Sequence, residues 1–198
     1  MKYPNNLVKE YTSDVNYKNR GMNLEDDLNS TNKYYLVNNI AVIYKKPTPI
    51  TITKVDYKSR DDAVIKEAYF KTPSTTDYNG IYKGKYIDFE AKETTQGKFF
   101  PLRNIHKHQI DHLRRILNHG GIAFLVIRFS KLNKTYYIGA QEFINFIDTS
   151  KRQSVPIDYI EENGYLIKEK YNPRLDYLKI IDNIYFEGGN VWKTLKKI

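Results

Sequence analysis

The chain has 198 residues, 40% of them hydrophobic, and no cysteine. This length suits a single domain with a buried core, and the lack of cysteine excludes disulfides, thiolate zinc sites and cysteine nucleophiles. A formal net charge of +9 indicates a polyanionic partner, either a nucleic acid or an anionic membrane surface. No apolar run is long enough to span a membrane and no secretory signal is evident, so we expect a cytoplasmic protein.

The predicted elements follow from periodicity and from turn residues. Residues 1–20 are polar, basic and aperiodic, which is typical of a flexible arm. Helices are predicted at 22–36, 104–119, 141–147, 156–162 and 175–185. Strands are predicted at 40–44, 51–57, 78–82, 85–93, 122–129 and 134–138. This order indicates an α/β domain with a mixed sheet. We expect the whole chain to form this one domain.

The stretch 45–72 is basic and aromatic, and prolines at 47, 49 and 73 bound it. Residues 63–70 fit a helix or a strand, with their β-branched and aromatic residues favouring a strand. We therefore expect a two-stranded projection, here called the stalk, outside the core. Its cations could contact phosphates and its rings could stack on unpaired bases; a solvated hairpin with self-packed rings is the alternative. The candidate DNA-binding residues are Lys45, Lys46, Arg60, Tyr69 and Phe70 in the stalk, and Arg20 in the arm.

The predicted hairpin at 78–93 carries charged residues on one face of its second strand. Because side chains alternate along a strand, the apolar residues of 87–91 point into the core, and Asp88, Glu90 and Lys92 point to the other side. Asp77 precedes the first strand, so pairing across the turn can bring it beside Glu90. Two converging carboxylates form an oxygen site that suits Mg²⁺.

Lys92 lies two residues beyond Glu90, within about 7 Å along the strand. Its ammonium group could orient a metal-bound water and offset the charge that develops on a phosphorane. A solvated strand face with a surface ion pair explains the same spacing, since Asp…Glu-x-Lys occurs by chance in many chains. The spacing alone leaves both interpretations open.

Longer blocks of sequence are more specific than this spacing. The blocks TPSTTDYNG (72–80), IDFEAKET (87–94), NRGM (19–22), AVIYKKPTP (41–49) and YNPRLDYL (171–178) resemble the RecU family of Holliday junction resolvases, in the same order. The resemblance runs from about residue 20 to residue 181. The RecU family belongs to the restriction-endonuclease-like nucleases with a PD-(D/E)-x-K motif. The proline of that motif is Thr76 here, as in the RecU pattern itself. The arm lacks the glycine-rich sequence expected before Arg20.

The resemblance implies a restriction-endonuclease-like fold, in which helices flank a mixed β-sheet and a β-hairpin stalk projects. It also implies a symmetric homodimer that resolves four-way DNA junctions with Mg²⁺, for which Mn²⁺ is expected to substitute. Carried over, Asp77 and Glu90 would bind the metal and Thr75 and Gln109 would complete its site. Lys92 would stabilise the transition state.

Two helices carry further polar candidates. Gln109 falls in an apolar stripe of helix 104–119 and needs a polar partner, either at the metal site or in a capping hydrogen bond. His108 and His112 have the spacing of a zinc-binding pair, but no third ligand is evident, which favours a solvated or phosphate-facing role. Glu25 is either an extra acidic residue near the site or a surface residue favoured by the helix dipole.

We therefore expect a nucleoid-associated endonuclease that makes paired nicks in four-way junctions during recombination and repair, with a recombinase as a further candidate partner. One alternative is a non-catalytic module that binds branched or single-stranded DNA. It leaves the two carboxylates unexplained, since they would repel phosphate without a metal. The other is a restriction-type endonuclease of the same fold, for which no recognition domain is evident.

Overall fold

The computed structural model describes residues 23–57, 63–71 and 75–187, so the N-terminal arm with Arg20 and the stalk residue Arg60 lie outside the described residues. The helices are α1 (Leu24–Val37), α2 (Lys107–Asn118), α3 (Ala140–Thr149), α4 (Ile157–Asn163) and α5 (Leu178–Ile181), and a π-helical turn, Asp182–Phe186, follows α5. The strands are β1 (Val42–Lys45), β2 (Ile50–Asp56), β3 (Val64–Phe70), β4 (Tyr78–Tyr82), β5 (Lys85–Thr94), β6 (Phe99–Pro101), β7 (Ile122–Phe129), β8 (Lys134–Gly139), β9 (Ser154–Pro156) and β10 (Tyr165–Ile167). Among the helices described, none is long and apolar enough to cross a bilayer.

A mixed sheet forms the centre of the molecule. Its strand order within the described residues is β1-β4-β5-β7-β8-β10, with β5 and β7 parallel and the other neighbours antiparallel. Every residue of β7 is buried, because this apolar strand is covered on both faces. The predicted α/β fold, with helices flanking a mixed sheet, is confirmed.

Two hydrophobic cores lie on opposite faces of this sheet, because successive side chains of β7 point to alternate faces. Phe124 and Val126 join the core that also contains buried residues of α1 and α5. Leu125 and Ile127 join the other core, with buried residues of α2 and α3. Glu90 is the partner of Leu125 in the parallel β5–β7 register, and so it faces the second core.

The stalk is a separate two-stranded antiparallel sheet formed by β2 and β3. Every residue of both strands is exposed, so the hairpin contributes nothing to either core. Its two ends meet where the backbone N–H of Lys71 donates to the carbonyl of Pro49, with 2.9 Å between nitrogen and oxygen. The predicted projecting hairpin, and the strand interpretation of 63–70, are confirmed.

Several element ends differ from those predicted. The first helix ends at Val37, one residue beyond its predicted end. Helix α2 begins at Lys107 rather than 104, because 102–104 form a 3₁₀ turn. The last helix begins at Leu178 rather than 175, since Leu175 forms a β-bridge with Glu169. No sequence signal indicates β6, β9 and β10, which at three residues each are too short to show an alternating pattern.

Candidate active site

A tight β4–β5 hairpin brings the two predicted carboxylates together. Lys83 and Gly84 both have positive φ, 46° and 74°, as a two-residue hairpin loop with the twist of its strands requires. The loop sets a register in which Tyr78 is opposite Phe89. Asp77 precedes Tyr78 and Glu90 follows Phe89, so the same register places Asp77 beside Glu90. Asp77 Oδ2 accepts a hydrogen bond from the backbone N–H of Ala91 at 3.1 Å.

Glu90 is fully buried, although it carries a carboxylate. Its Oε1 accepts a hydrogen bond from Gln109 Nε2 at 2.6 Å and forms an ion pair with Lys92 Nζ. Its Oε2 is buried and has no hydrogen-bond partner among the described residues. Burial, and then the nearby Asp77 carboxylate, raise the pKa of Glu90 to about 8. A solvated strand face is therefore not the environment of this residue.

These features fit a divalent cation. A buried carboxylate oxygen without a donor, next to a second carboxylate, is a hard oxygen site whose negative charge a cation would neutralise. Across residues 23–57, 63–71 and 75–187, no group of three or more His, Cys, Asp or Glu side chains is placed to hold a metal. An ion that takes few carboxylates and completes its shell with water or neutral oxygens does not require such a group.

The two neutral candidate ligands are placed differently. Gln109 is buried in the first turn of α2, where its Oε1 accepts the N–H of His106 at 3.0 Å while its amide nitrogen donates to Glu90. The capping hydrogen bond expected as one alternative is therefore present, and the same side chain also contacts Glu90. Thr75 is half-buried, and its hydroxyl lies 3.5 Å from the carbonyl of Thr76. Within the described part of the chain, no hydrogen bond joins Thr75 to either carboxylate.

A pocket of about 260 Å³ opens beside Asp77. Residues that line it come from the start of α1, from β4 and from β5: Asn23, Leu24, Glu25, Asp77, Tyr78, Ala91 and Glu93. Glu25, the acidic residue considered from the sequence, therefore lies in the same pocket as Asp77. Its carboxylate forms an ion pair with Lys45.

Comparison with known proteins decides the family of the chain. The family model described as "Recombination protein U" (RecU) matches residues 19–183. The chain belongs to the RecU family. It is 52% identical over 182 residues to a protein of Bacillus mycoides named "Holliday junction resolvase RecU", covering 90% of this chain and 89% of that protein. A protein of the same name from Bacillus cytotoxicus is 55% identical over 173 residues, covering 86% of each.

A solved structure was also found, that of Hjc from Archaeoglobus fulgidus, described as a Holliday junction resolvase. It aligns with a TM-score of 0.38 at 8% sequence identity, over 63% of this chain and 82% of that chain.

The candidate DNA-binding residues of this RecU family member are exposed, mostly buried, or outside the described residues. Tyr69 and Phe70 are exposed on β3, Phe70 by 83%, and the Tyr69 hydroxyl donates to Glu67 at 2.8 Å. Lys45 is exposed at the end of β1. Lys46 is mostly buried, and its ammonium group is paired inside the protein. Arg20 and Arg60 lie outside the described residues.

The partner of Lys46 is Asp88, which was recognised in the sequence only as a member of the charged trio. Asp88 is fully buried, and its carboxylate is contacted by the side chains of Lys46, Thr76, Tyr86 and His112. The sequence signal for this cluster is an acidic residue on the strand face that α2 covers, because such a residue needs partners.

Proposed function

We propose that this protein is a Holliday junction resolvase, an endonuclease that nicks four-way DNA junctions at two symmetry-related positions during recombination and repair. The single observation that carries the proposal is the meeting of Asp77, Glu90 and Lys92 at a buried site, in a chain about half identical to proteins of that name. Action on chromosomal DNA agrees with the net charge of +9 and with the nucleoid-associated location expected from the sequence.

The proposed cofactor is Mg²⁺, with Mn²⁺ able to replace it. Asp77 and Glu90 would hold the ion, with Thr75 and Gln109 as further candidate ligands, and the bound ion supplies a water of lowered pKa and charge neutralisation at the phosphate. Gln109 holds the Glu90 carboxylate in orientation through its amide nitrogen. Lys92 holds a positive charge beside the same carboxylate, where it offsets the negative charge that develops on the scissile phosphate. Hydrolysis should leave 5′-phosphate and 3′-hydroxyl ends.

Two cuts on strands related by symmetry call for two active sites, so we propose a homodimer. Strand β1 is an edge of the described sheet, and apolar side chains beside it are exposed: Val37, Val42, Tyr44 and Ile81. Apolar surface of this kind is suited to burial against a second copy. Sedimentation of the protein with and without junction DNA tests this, and a monomer in both states would contradict the paired cuts.

The experiment that tests the function compares a mobile four-way junction with a linear duplex of the same sequence. We expect paired nicks in the junction with Mg²⁺, no cutting in EDTA and little cutting of the duplex. Asp77→Asn should abolish cutting while it leaves junction binding in place, since Asp77 is assigned to the metal rather than to phosphate. Equal cutting of both DNAs would indicate a restriction-type nuclease, and junction binding without any cutting would indicate a binding module.

A further inference from the structure

We propose that Lys46 and Asp88 form a buried pair that positions Asp77, and that the ammonium group of Lys46 serves this purpose rather than contacting DNA. The inference deepens the proposed function and rests on the assignment of Asp77 to the metal. It concerns two residues that lie 42 positions apart in the sequence and meet on the face of β5 that also carries Glu90.

The pair encloses the short segment that leads into β4. Lys46 Nζ lies 2.8 Å from Asp88 Oδ2 and donates to the Thr76 hydroxyl at 2.9 Å, while that hydroxyl donates to Asp88 Oδ1. The backbone N–H of Lys46 also donates to the carbonyl of Asp77 at 2.7 Å. Lys46 therefore holds residue 77 through the main chain and residue 76 through its side chain.

Asp88 is held in this place by several polar side chains. In addition to Lys46 and Thr76, its Oδ2 accepts a hydrogen bond from the Tyr86 hydroxyl at 3.0 Å and lies 3.2 Å from His112 Nε2 of α2. A buried carboxylate is retained only when hydrogen bonds and an opposite charge offset its desolvation, and Asp88 has both. The same contacts connect β5 and α2 to the residue that precedes Asp77.

The location of the Lys46–Asp88 pair explains why the segment before β4 needs to be held in position. Lys46 precedes β2 and Thr76 follows β3, so their contact joins the two ends of the solvent-exposed β2–β3 hairpin next to the start of β4. Asp77 lies just beyond that junction, and its side chain is held by the N–H of Ala91. Displacement of a catalytic group by about 1 Å can cost on the order of 100-fold in rate, so a segment anchored from two sides is advantageous here.

Three measurements on each variant distinguish a role of Lys46 in positioning Asp77 from a role in contacting DNA. These are the single-turnover cleavage rate of a junction at saturating enzyme, Mn²⁺ binding to the free protein by electron paramagnetic resonance, and junction affinity in EDTA. Lys46→Met and Asp88→Asn should each slow cleavage by about 10- to 100-fold and weaken Mn²⁺ binding. Junction affinity in EDTA should stay within about twofold of the wild-type value. The double variant should lose no more cleavage rate and Mn²⁺ affinity than the worse single variant, because the two residues act as one pair.

Lys45→Met is the contrasting lysine variant, since Lys45 is exposed and is a candidate phosphate contact. We expect it to weaken junction binding and to reduce the slope of log affinity against log salt concentration by about 0.9. If Lys46→Met behaves in the same way, Lys46 is a DNA contact and the inference is wrong.

A second pair of variants covers the case in which removal of one buried charge unfolds the protein. Thr76→Val is nearly isosteric and removes the hydroxyl that links the ion pair to the segment of Asp77, while both charges remain. Tyr86→Phe removes another hydroxyl from Asp88, but one on β5 itself. Thr76→Val should weaken Mn²⁺ binding more than Tyr86→Phe does, and equal effects would overturn the inference. A wild-type protein that binds Mn²⁺ but does not cut junctions would refute the proposed function and leave the comparison of variants valid.

Discussion

At the scale of single residues, Glu90 shows the cost of burying a carboxylate at the proposed metal site. Its carboxylate is fully buried beside Asp77, and one of its oxygens has no donor among the described residues. Without a cation, burial and the neighbouring charge both favour the protonated acid, so its pKa rises to about 8. The metal-free protein should therefore be less stable than one with a neutral group at this position.

Glu90→Gln should stabilise the protein in EDTA, increasingly so as the pH rises. The unfolded glutamic acid ionises near its ordinary pKa of 4.5, whereas the folded one keeps its proton up to about pH 8. The folded wild type thus binds more protons between these values, and its stability falls as the pH increases through that window. Melting temperatures in EDTA should differ little at pH 5 and most near pH 8, with the variant higher.

Adding Mg²⁺ at pH 8 should raise the melting temperature of the wild type more than that of Glu90→Gln, because the ion binds the folded state. A difference between the two proteins that does not change with pH would contradict the burial of this carboxylate.

Lys92→Ala should affect the chemical step while it leaves the metal in place. The lysine is paired with Glu90 and partly exposed, so its charge is available to a phosphate at the site. Loss of such an electrostatic stabiliser costs about 100-fold or more in rate. Single-turnover cleavage at saturating enzyme measures this, with Mn²⁺ binding as the control. A variant that fails only because it binds junctions weakly would argue for a DNA contact instead.

The residues around Asp77 show what the sequence can and cannot predict at this scale. Strand alternation and a two-residue turn were sufficient to predict that Asp77 and Glu90 converge, because both effects are local. The pairing of Asp88 with Lys46 and His112 could not be predicted, since it depends on how α2 and the end of β1 pack on β5. For the same reason Lys46 was classed with the other basic residues of its segment.

At the scale of elements, β1 lies unusually close to β4. A Cβ added at Gly80 would lie 2.1 Å from the carbonyl oxygen of Val42 and 2.6 Å from the Cα of Ile43, both in the opposing backbone. Only glycine fits there without moving one strand. Because β4 leads from Asp77 into the hairpin, this close approach also fixes the strand that carries the site.

Gly80→Ala should therefore destabilise the protein by about 1–3 kcal/mol, as overpacking does in a well-packed core. Denaturant unfolding measures the change. Gly97→Ala is the matched control, because its added methyl group would meet only Leu132 Cδ2, at 4.0 Å, and should be close to neutral. Similar losses in the two variants would show that the approach of β1 is not the cause.

The buried elements were the most predictable ones. Strand β7 and helix α2 have clear apolar patterns, and Gly120, with φ of 76°, provides a left-handed residue after the end of α2. The three-residue strands were missed because tertiary pairing, and not their own sequence, makes them strands. Strand β10, for example, is defined only by its pairing with β8.

At the scale of the whole molecule, a compact sheet with two cores carries a hairpin that takes no part in either. The candidate catalytic residues are located in the sheet, and Phe70, the most exposed large hydrophobic side chain of the described residues, is in the stalk. A two-stranded ribbon without a core has little stability of its own, so its persistence in this fold needs another explanation. We propose that it recognises DNA, which agrees with a sequence in which cations and aromatic rings are interspersed.

Replacing residues 50–70 by two glycines should separate junction recognition from the active site. The N–H of Lys71 lies 2.9 Å from the carbonyl of Pro49, so a short linker can close the gap without strain. Circular dichroism should show a folded protein, because no residue of β2 or β3 is buried. Affinity for a linear duplex should fall modestly, with its salt slope reduced by about 0.9 for each phosphate that the shortened protein no longer neutralises.

Affinity for a four-way junction should fall much further in the same protein, since the deletion also removes the rings that stack on unpaired bases at the branch. Binding to both DNAs across a salt series gives the comparison directly. Tyr69→Ala with Phe70→Ala, in the otherwise intact stalk, is the matched control: it keeps the cations and should lower junction affinity without changing the salt slope. If the deletion lowers the affinity for both DNAs by the same factor, the stalk is an electrostatic contact only. Selectivity for branched DNA must then come from the central sheet and from the second copy of the protein in the dimer.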